Sequence, residues 1–98
     1  MKDFENELRA VENYVAEAML ILDEAVKEAR KQQREAEAKE HACWVKVDKL
    51  ENAWMETKDE EIGKRLDEAY DEYREAWEVR QECDDWYDVL TSKQDRLS

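Results

Sequence analysis

The side chains best suited to chemistry in this sequence are one histidine and two cysteines: His41, Cys43 and Cys83. A His-x-Cys pair could open a soft-metal site, but on a helix residues i and i+2 point to different sides, and tetrahedral zinc needs four converging groups. Cys83 alone does not complete such a set. A di-iron bundle would need Glu-x-x-His on a helix, and the position three before His41 is Ala38. Nucleophilic catalysis lacks its parts too, because Ser92 and Ser98 lie in the last stretch of the sequence and neither cysteine has a base partner at helical spacing. A single Gly rules out a phosphate-cradling loop. The expectation is a protein that is not an enzyme, with no metal and no cofactor, whose two cysteines are reduced packing residues.

What the chain has in excess is carboxylate. Its 28 Asp and Glu against 16 Lys and Arg give a net charge of −12, which repels nucleic-acid phosphates and anionic membrane surfaces and favours basic or apolar protein partners. The charge is uneven: residues 1 to 58 hold 14 acidic and 10 basic side chains (net −4), and residues 59 to 98 hold 14 and 6 (net −8). Glu61, Glu68, Glu75 and Glu82 recur every seven residues, with Asp71, Glu72, Glu78 and Asp85 beside them. Such a ladder on a rigid helix could imitate a phosphate backbone in the cationic groove of a nucleic-acid-binding protein. Its density is low, about one net charge per 7 Å against about one per 1.7 Å in duplex DNA. The competing reading is a solubilising outer face.

The elements that position these groups are helices. One Gly, no Pro and 45% charged residues match the composition of long helices or coiled coils. Phe4, Leu8, Val11, Val15, Ala18, Leu22, Ala25 and Ala29 alternate spacings of 4 and 3, one helical stripe. It fades through Gln32, Gln33, Ala36 and Lys39, in a segment read as continuous helix solvated on most faces, and resumes, slightly rotated, at Cys43, Val47, Leu50 and Trp54. Thr57 or Asp59 caps a second helix, with Glu60 and Glu61 favourable in its first turn. Its stripe is Ile62, Leu66, Ala69, Tyr73, Ala76, Arg80, Cys83, Tyr87 and Leu90, then more weakly Gln94 and Leu97. The expected organisation is a single helical domain over 1–98: helix 3–56, turn 57–59, helix 60–91 and a frayed tail 92–98.

Unequal helices carry a consequence. At about 1.5 Å per residue the first spans about 80 Å and the second about 48 Å, so a hairpin covers the first helix only as far back as about residue 25. The all-α fold is therefore expected as an antiparallel hairpin of two long, coiled-coil-like helices that forms a homodimer through Phe4, Leu8, Val11, Val15, Met19 and Leu22. The alternative is a three-helix bundle, with a break between Lys27 and His41. Trp54, Tyr73 and Tyr87 read as core; Trp44, Trp77 and Trp86 flank the seams as contacts to another chain or as binding anchors. Arg80 either pairs with an acid across the seam or extends its stem to solvent. The longest apolar run, Ala18 to Leu22, is too short to span a bilayer, and no signal-peptide pattern opens the sequence, so a cytoplasmic protein is expected.

In size and charge, and by no motif, the chain resembles the small acidic helical proteins with which phages and mobile elements block nucleic-acid enzymes, some anti-CRISPR proteins among them. The resemblance implies a viral inhibitor or DNA mimic acting in the host cytoplasm, and carries over no residue. The residues expected to bind a basic partner are Glu68, Asp71, Glu72, Glu75, Trp77, Glu78, Glu82, Asp85 and Trp86. The other expectation is a structural coiled-coil adaptor or assembly subunit that binds through its apolar seams.

Overall fold

The computed structural model describes residues Lys2–Leu97, which form two helices, α1 (Lys2–Thr57) and α2 (Glu60–Leu97). They fold back on each other as an antiparallel hairpin with extents of 83 × 16 × 14 Å. The long dimension matches α1 alone, about 84 Å at 1.5 Å per residue, so α1 is straight and unbroken. The three-helix alternative is thereby corrected: the segment 27–41 is made of good helix formers with no turn-forming residue, and nothing interrupts its hydrogen-bond ladder.

The reversal uses two residues. Lys58 takes the left-handed conformation (φ 54°), and its N–H donates to the Trp54 carbonyl at 2.7 Å, closing the last turn of α1 as an αL cap. The Thr57 hydroxyl donates to the Ala53 carbonyl at 2.8 Å. The Asp59 carboxylate accepts the Glu61 N–H at 2.8 Å, so of the two residues expected to cap α2 it is Asp59 that does so. Gly63 has a packing role: a Cβ there would lie 3.3 Å from Trp54 Nε1, and its absence lets the indole lie against the start of α2.

The helices meet along a continuous seam. On α1 it runs Leu22, Val26, Ala29, Gln33, Ala36, Glu40, Cys43, Val47, Leu50 and Trp54, and on α2 from Ile62 to Gln94 along the expected stripe; every one is buried or half-buried. The contacts Trp54 with Gly63, Lys46 with Glu72, Glu40 with Arg80, Gln33 with Asp84 and Asp23 with Gln94 show one register: each step back along α1 is matched forward along α2. Val47, Leu66 and Ala69 form the tightest cluster, with Leu50, Trp54 and Tyr73 against it.

One sequence expectation gains detail and another changes. The segment 27–41 is solvated on most faces, as expected, but along one edge Ala29 and Ala36 are buried and Gln33 and Glu40 half-buried. Their 4-3 spacing continues the seam, but two of the four are polar and hide it. The tail 92–98, expected to fray, continues α2 as far as Leu97, with a hydrogen bond from Gln94 to Asp23 across the seam, while Leu97 itself stays exposed beside an open groove lined by Ala18, Ile21 and Leu22. The second helix thus covers α1 back to about Ala18, one to two turns further than expected.

Candidate binding surfaces

Placing the seam of α2 against α1 decides where its carboxylates point. In a seven-residue repeat the positions of Glu68, Glu75 and Glu82, and of Asp71, Glu78 and Asp85, lie diametrically away from the seam. All six are exposed, as the sequence expected. Glu72 departs from the set: it sits on the shoulder, where its carboxylate meets Lys46 Nζ at 3.1 Å, so it is partly committed within the hairpin. Both partners are about half exposed, and the pair adds little stability. Trp77 and Trp86, both exposed, fall on opposite shoulders of α2 and bracket the acidic arc. The acids form one surface, whereas the two indoles do not form a patch with each other.

The shoulder of Trp77 also carries Tyr70, whose hydroxyl donates to Glu51 at 3.3 Å. Partial burial, then the charge and hydrogen bond of Glu51, push this phenol above its ordinary value. Trp44 packs on Tyr73 nearby, ring centroids 5.3 Å apart and tilted by 52°.

A polar network crosses the middle of the seam. The Arg80 guanidinium donates to Glu40 at 2.8 Å, its Nε lies 3.6 Å from Asp84, and Asp84 accepts from Gln33 Nε2 at 2.6 Å. Gln33 accepts in turn from Arg30, 2.9 Å away, and the Arg30 guanidinium lies 5.5 Å from the centre of the Tyr87 ring. The hydrogen bond and charge of Glu40 push Arg80 above its usual value against the opposing effect of lost hydration, with Asp84 and Glu37 adding to the rise. Of the two roles expected for Arg80, it takes the cross-helix pair. Sequence reading missed Glu40 and Asp84 as its partners and Gln33 as the partner of Asp84; the signal was the seven-residue step from Gln33 to Glu40 on the stripe through Ala29, Ala36 and Cys43. Beside the network an open cleft of about 290 Å³ is lined by Glu37, Glu40, His41, Trp44, Tyr73 and Arg80.

The third surface is apolar. Phe4, Leu8, Val11, Tyr14 and Val15 are exposed on the part of α1 that α2 does not reach. Met19 and Leu22, expected with them at a dimer seam, are half-buried. Open apolar grooves run from this protruding segment onto the hairpin, one between Ala10 and Leu97 and one along Ile21, Leu22 and Leu90.

His41 is exposed and Cys43 half-buried, on different sides of α1. Cys83 faces α1 near Gln33, about ten residues or 15 Å along the helix from Cys43, too far for a disulfide. Among the described residues no group of three or more His, Cys, Asp or Glu side chains is placed to hold a metal ion, and no helix is long and apolar enough to cross a membrane. No protein-family model, curated protein or solved structure matches the chain.

Proposed function

We propose that the protein is a non-enzymatic binding protein whose acidic α2 face occupies a basic surface on another protein, with a nucleic-acid-binding enzyme as the target and inhibition or modulation as the result. One observation carries this reading: Glu68, Asp71, Glu75, Glu78, Glu82 and Asp85 are all exposed on the side of α2 that faces away from α1. Along this arc the carboxylates follow one another at about 5 Å with no base among them, against about one net charge per 7 Å for the region as a whole and about one per 1.7 Å in duplex DNA. Rigidity compensates in part, because an arc fixed by a packed helix loses little freedom on binding. Trp77 and Trp86, one on each shoulder, supply the apolar anchors that electrostatic contacts alone lack.

The test is a charge reversal that spares the hairpin: Glu68→Lys, Glu75→Lys, Glu78→Lys and Glu82→Lys together, leaving Glu72 with Lys46. Capture of the partner from lysate should disappear in the variant, and for the native chain should fall at least tenfold as salt rises from about 50 to about 300 mM. Capture that survives both, with helix content unchanged, rejects the acidic-face reading. It would favour the coiled-coil adaptor, which the exposed stripe Phe4 to Val15 supports.

A further inference from the structure

We infer that the protruding start of α1 is the seam of a homodimer in which two copies lie antiparallel, each burying the other's apolar stripe. Past the last turn of α2, α1 continues for roughly 17 residues, about 25 Å. Here Phe4, Leu8, Val11 and Val15, in line with the hairpin seam, remain 68, 50, 59 and 42% exposed. A helix with an apolar stripe of this kind belongs against another element.

Spacing, side-chain size and continuity with α2 together point to a second copy as that element. From Phe4 to Val15 the intervals are 4, 3 and 4, which read the same in both directions. An antiparallel two-fold therefore sets Phe4 against the partner's Val15 and Leu8 against the partner's Val11, then repeats both pairs by symmetry. Each of the four layers places a large side chain opposite a valine, as the hairpin places Trp54 opposite Gly63. A parallel pairing would stack Phe4 on itself and Val11 on itself, alternating crowded and loose layers. The partner's α1 runs in the direction of α2, so it continues the hairpin's second helix beyond Leu97.

The interface is small and its flanks are acidic. Four layers over about 17 Å sit at or below the low end of specific interfaces, about 1,200 Å², so association should be micromolar and reversible. Glu5 and Glu12 border the stripe, and the antiparallel register brings each towards the partner's copy of the other, so raising salt should strengthen the dimer. That response is opposite in sign to the one expected of the acidic α2 face, and the two proposals fail independently.

Sedimentation velocity on the full chain from about 5 to about 500 µM, at low and moderate salt, tests the inference. The expected result is a shift from 11.8 kDa to twice that mass, favoured by salt. Leu8→Glu or Val11→Glu should weaken it at least tenfold with helix content intact, since neither side chain packs against α2. In a background with Cys43→Ala and Cys83→Ala, a Leu8→Cys chain mixed with a Val11→Cys chain should cross-link faster than either alone. A monomer throughout, a dimer indifferent to Leu8→Glu, association weakened by salt, or preferential Leu8→Cys self-cross-linking would each overturn it.

Discussion

The two halves of the hairpin are held by different physics. Near the turn, Val47, Leu50, Trp54, Leu66, Ala69 and Tyr73 make a small apolar core. In the middle, the same two stripes carry Gln33, Glu40, Arg80 and Asp84, joined by hydrogen bonds and ion pairs and flanked by the buried alanines Ala36 and Ala76. Apolar packing is strong and tolerant of sliding, because one leucine fits another's place a heptad away. The Arg80–Glu40 pair and the Gln33–Asp84 hydrogen bond form in one register alone, so the middle contributes specificity more than stability. A long hairpin needs both: the turn-side core to fold, and the polar layer to keep a repetitive seam from slipping.

The largest effect that would break this comparison lies in the core. Leu66→Ala removes a buried side chain from the main cluster and should cost about 2 to 3 kcal/mol, read as a fall in the denaturation midpoint. A loss below about 1 kcal/mol would mean that the turn-side half is not the source of stability. The next effect concerns the middle. Arg80→Met leaves Glu40, whose side chain is only 12% exposed, without its cation, and should lower the melting temperature by less than Leu66→Ala does. Adding Glu40→Leu should recover the loss, since a matched apolar pair avoids the desolvation of two charges. A double variant that melts no higher than the single would show the network to be a source of net stability, erasing the distinction between the halves.

A smaller change sharpens the comparison at the reversal. Lys58 occupies a left-handed position that suits glycine, and the strain is partly offset by its ammonium, 3.9 Å from the centre of the Trp54 ring. Lys58→Gly should stabilise the hairpin by about 0.5 kcal/mol, the backbone gain of about 1 kcal/mol less the lost cation–π contact. Chemical denaturation reads this directly, and destabilisation would place the weight on the Lys58–Trp54 contact instead.

How much of this was legible in the sequence follows the same division. The apolar stripes, the reversal near Thr57 to Glu60 and the outward direction of Glu68, Glu75 and Glu82 are consequences of spacing, and spacing is visible in one dimension. The middle of the seam was not legible because Gln33 and Glu40 look like solvent residues until Asp84 and Arg80 are set opposite them, and that pairing depends on register. The end of α2 was misjudged for a related reason: Gln94 is a weak stripe residue alone, and gains its hold from Asp23 on the other helix. Local pattern shows which faces are apolar; the partner across the seam decides which polar residues join them.

The smallest predicted effect uses pH to separate the halves. Tyr70 bonds Glu51 on the turn side, and its phenol is raised above the ordinary value, whereas Arg80 in the middle is raised above a value that is already high. A group whose folded pKa exceeds its unfolded one stabilises fully below the unfolded value, about 10 for tyrosine, and the contribution disappears as pH rises through the folded value. Above about pH 10 the turn-side bond should therefore weaken while the Arg80 pair stays intact. The native chain should lose more melting temperature over that range than Tyr70→Phe, and the two should converge at the alkaline end. The part of the phenolate absorbance missing from Tyr70→Phe should appear above about pH 10. Equal losses in both chains would mean that the Tyr70–Glu51 bond does not hold the turn side, leaving the apolar cluster alone responsible for its stability.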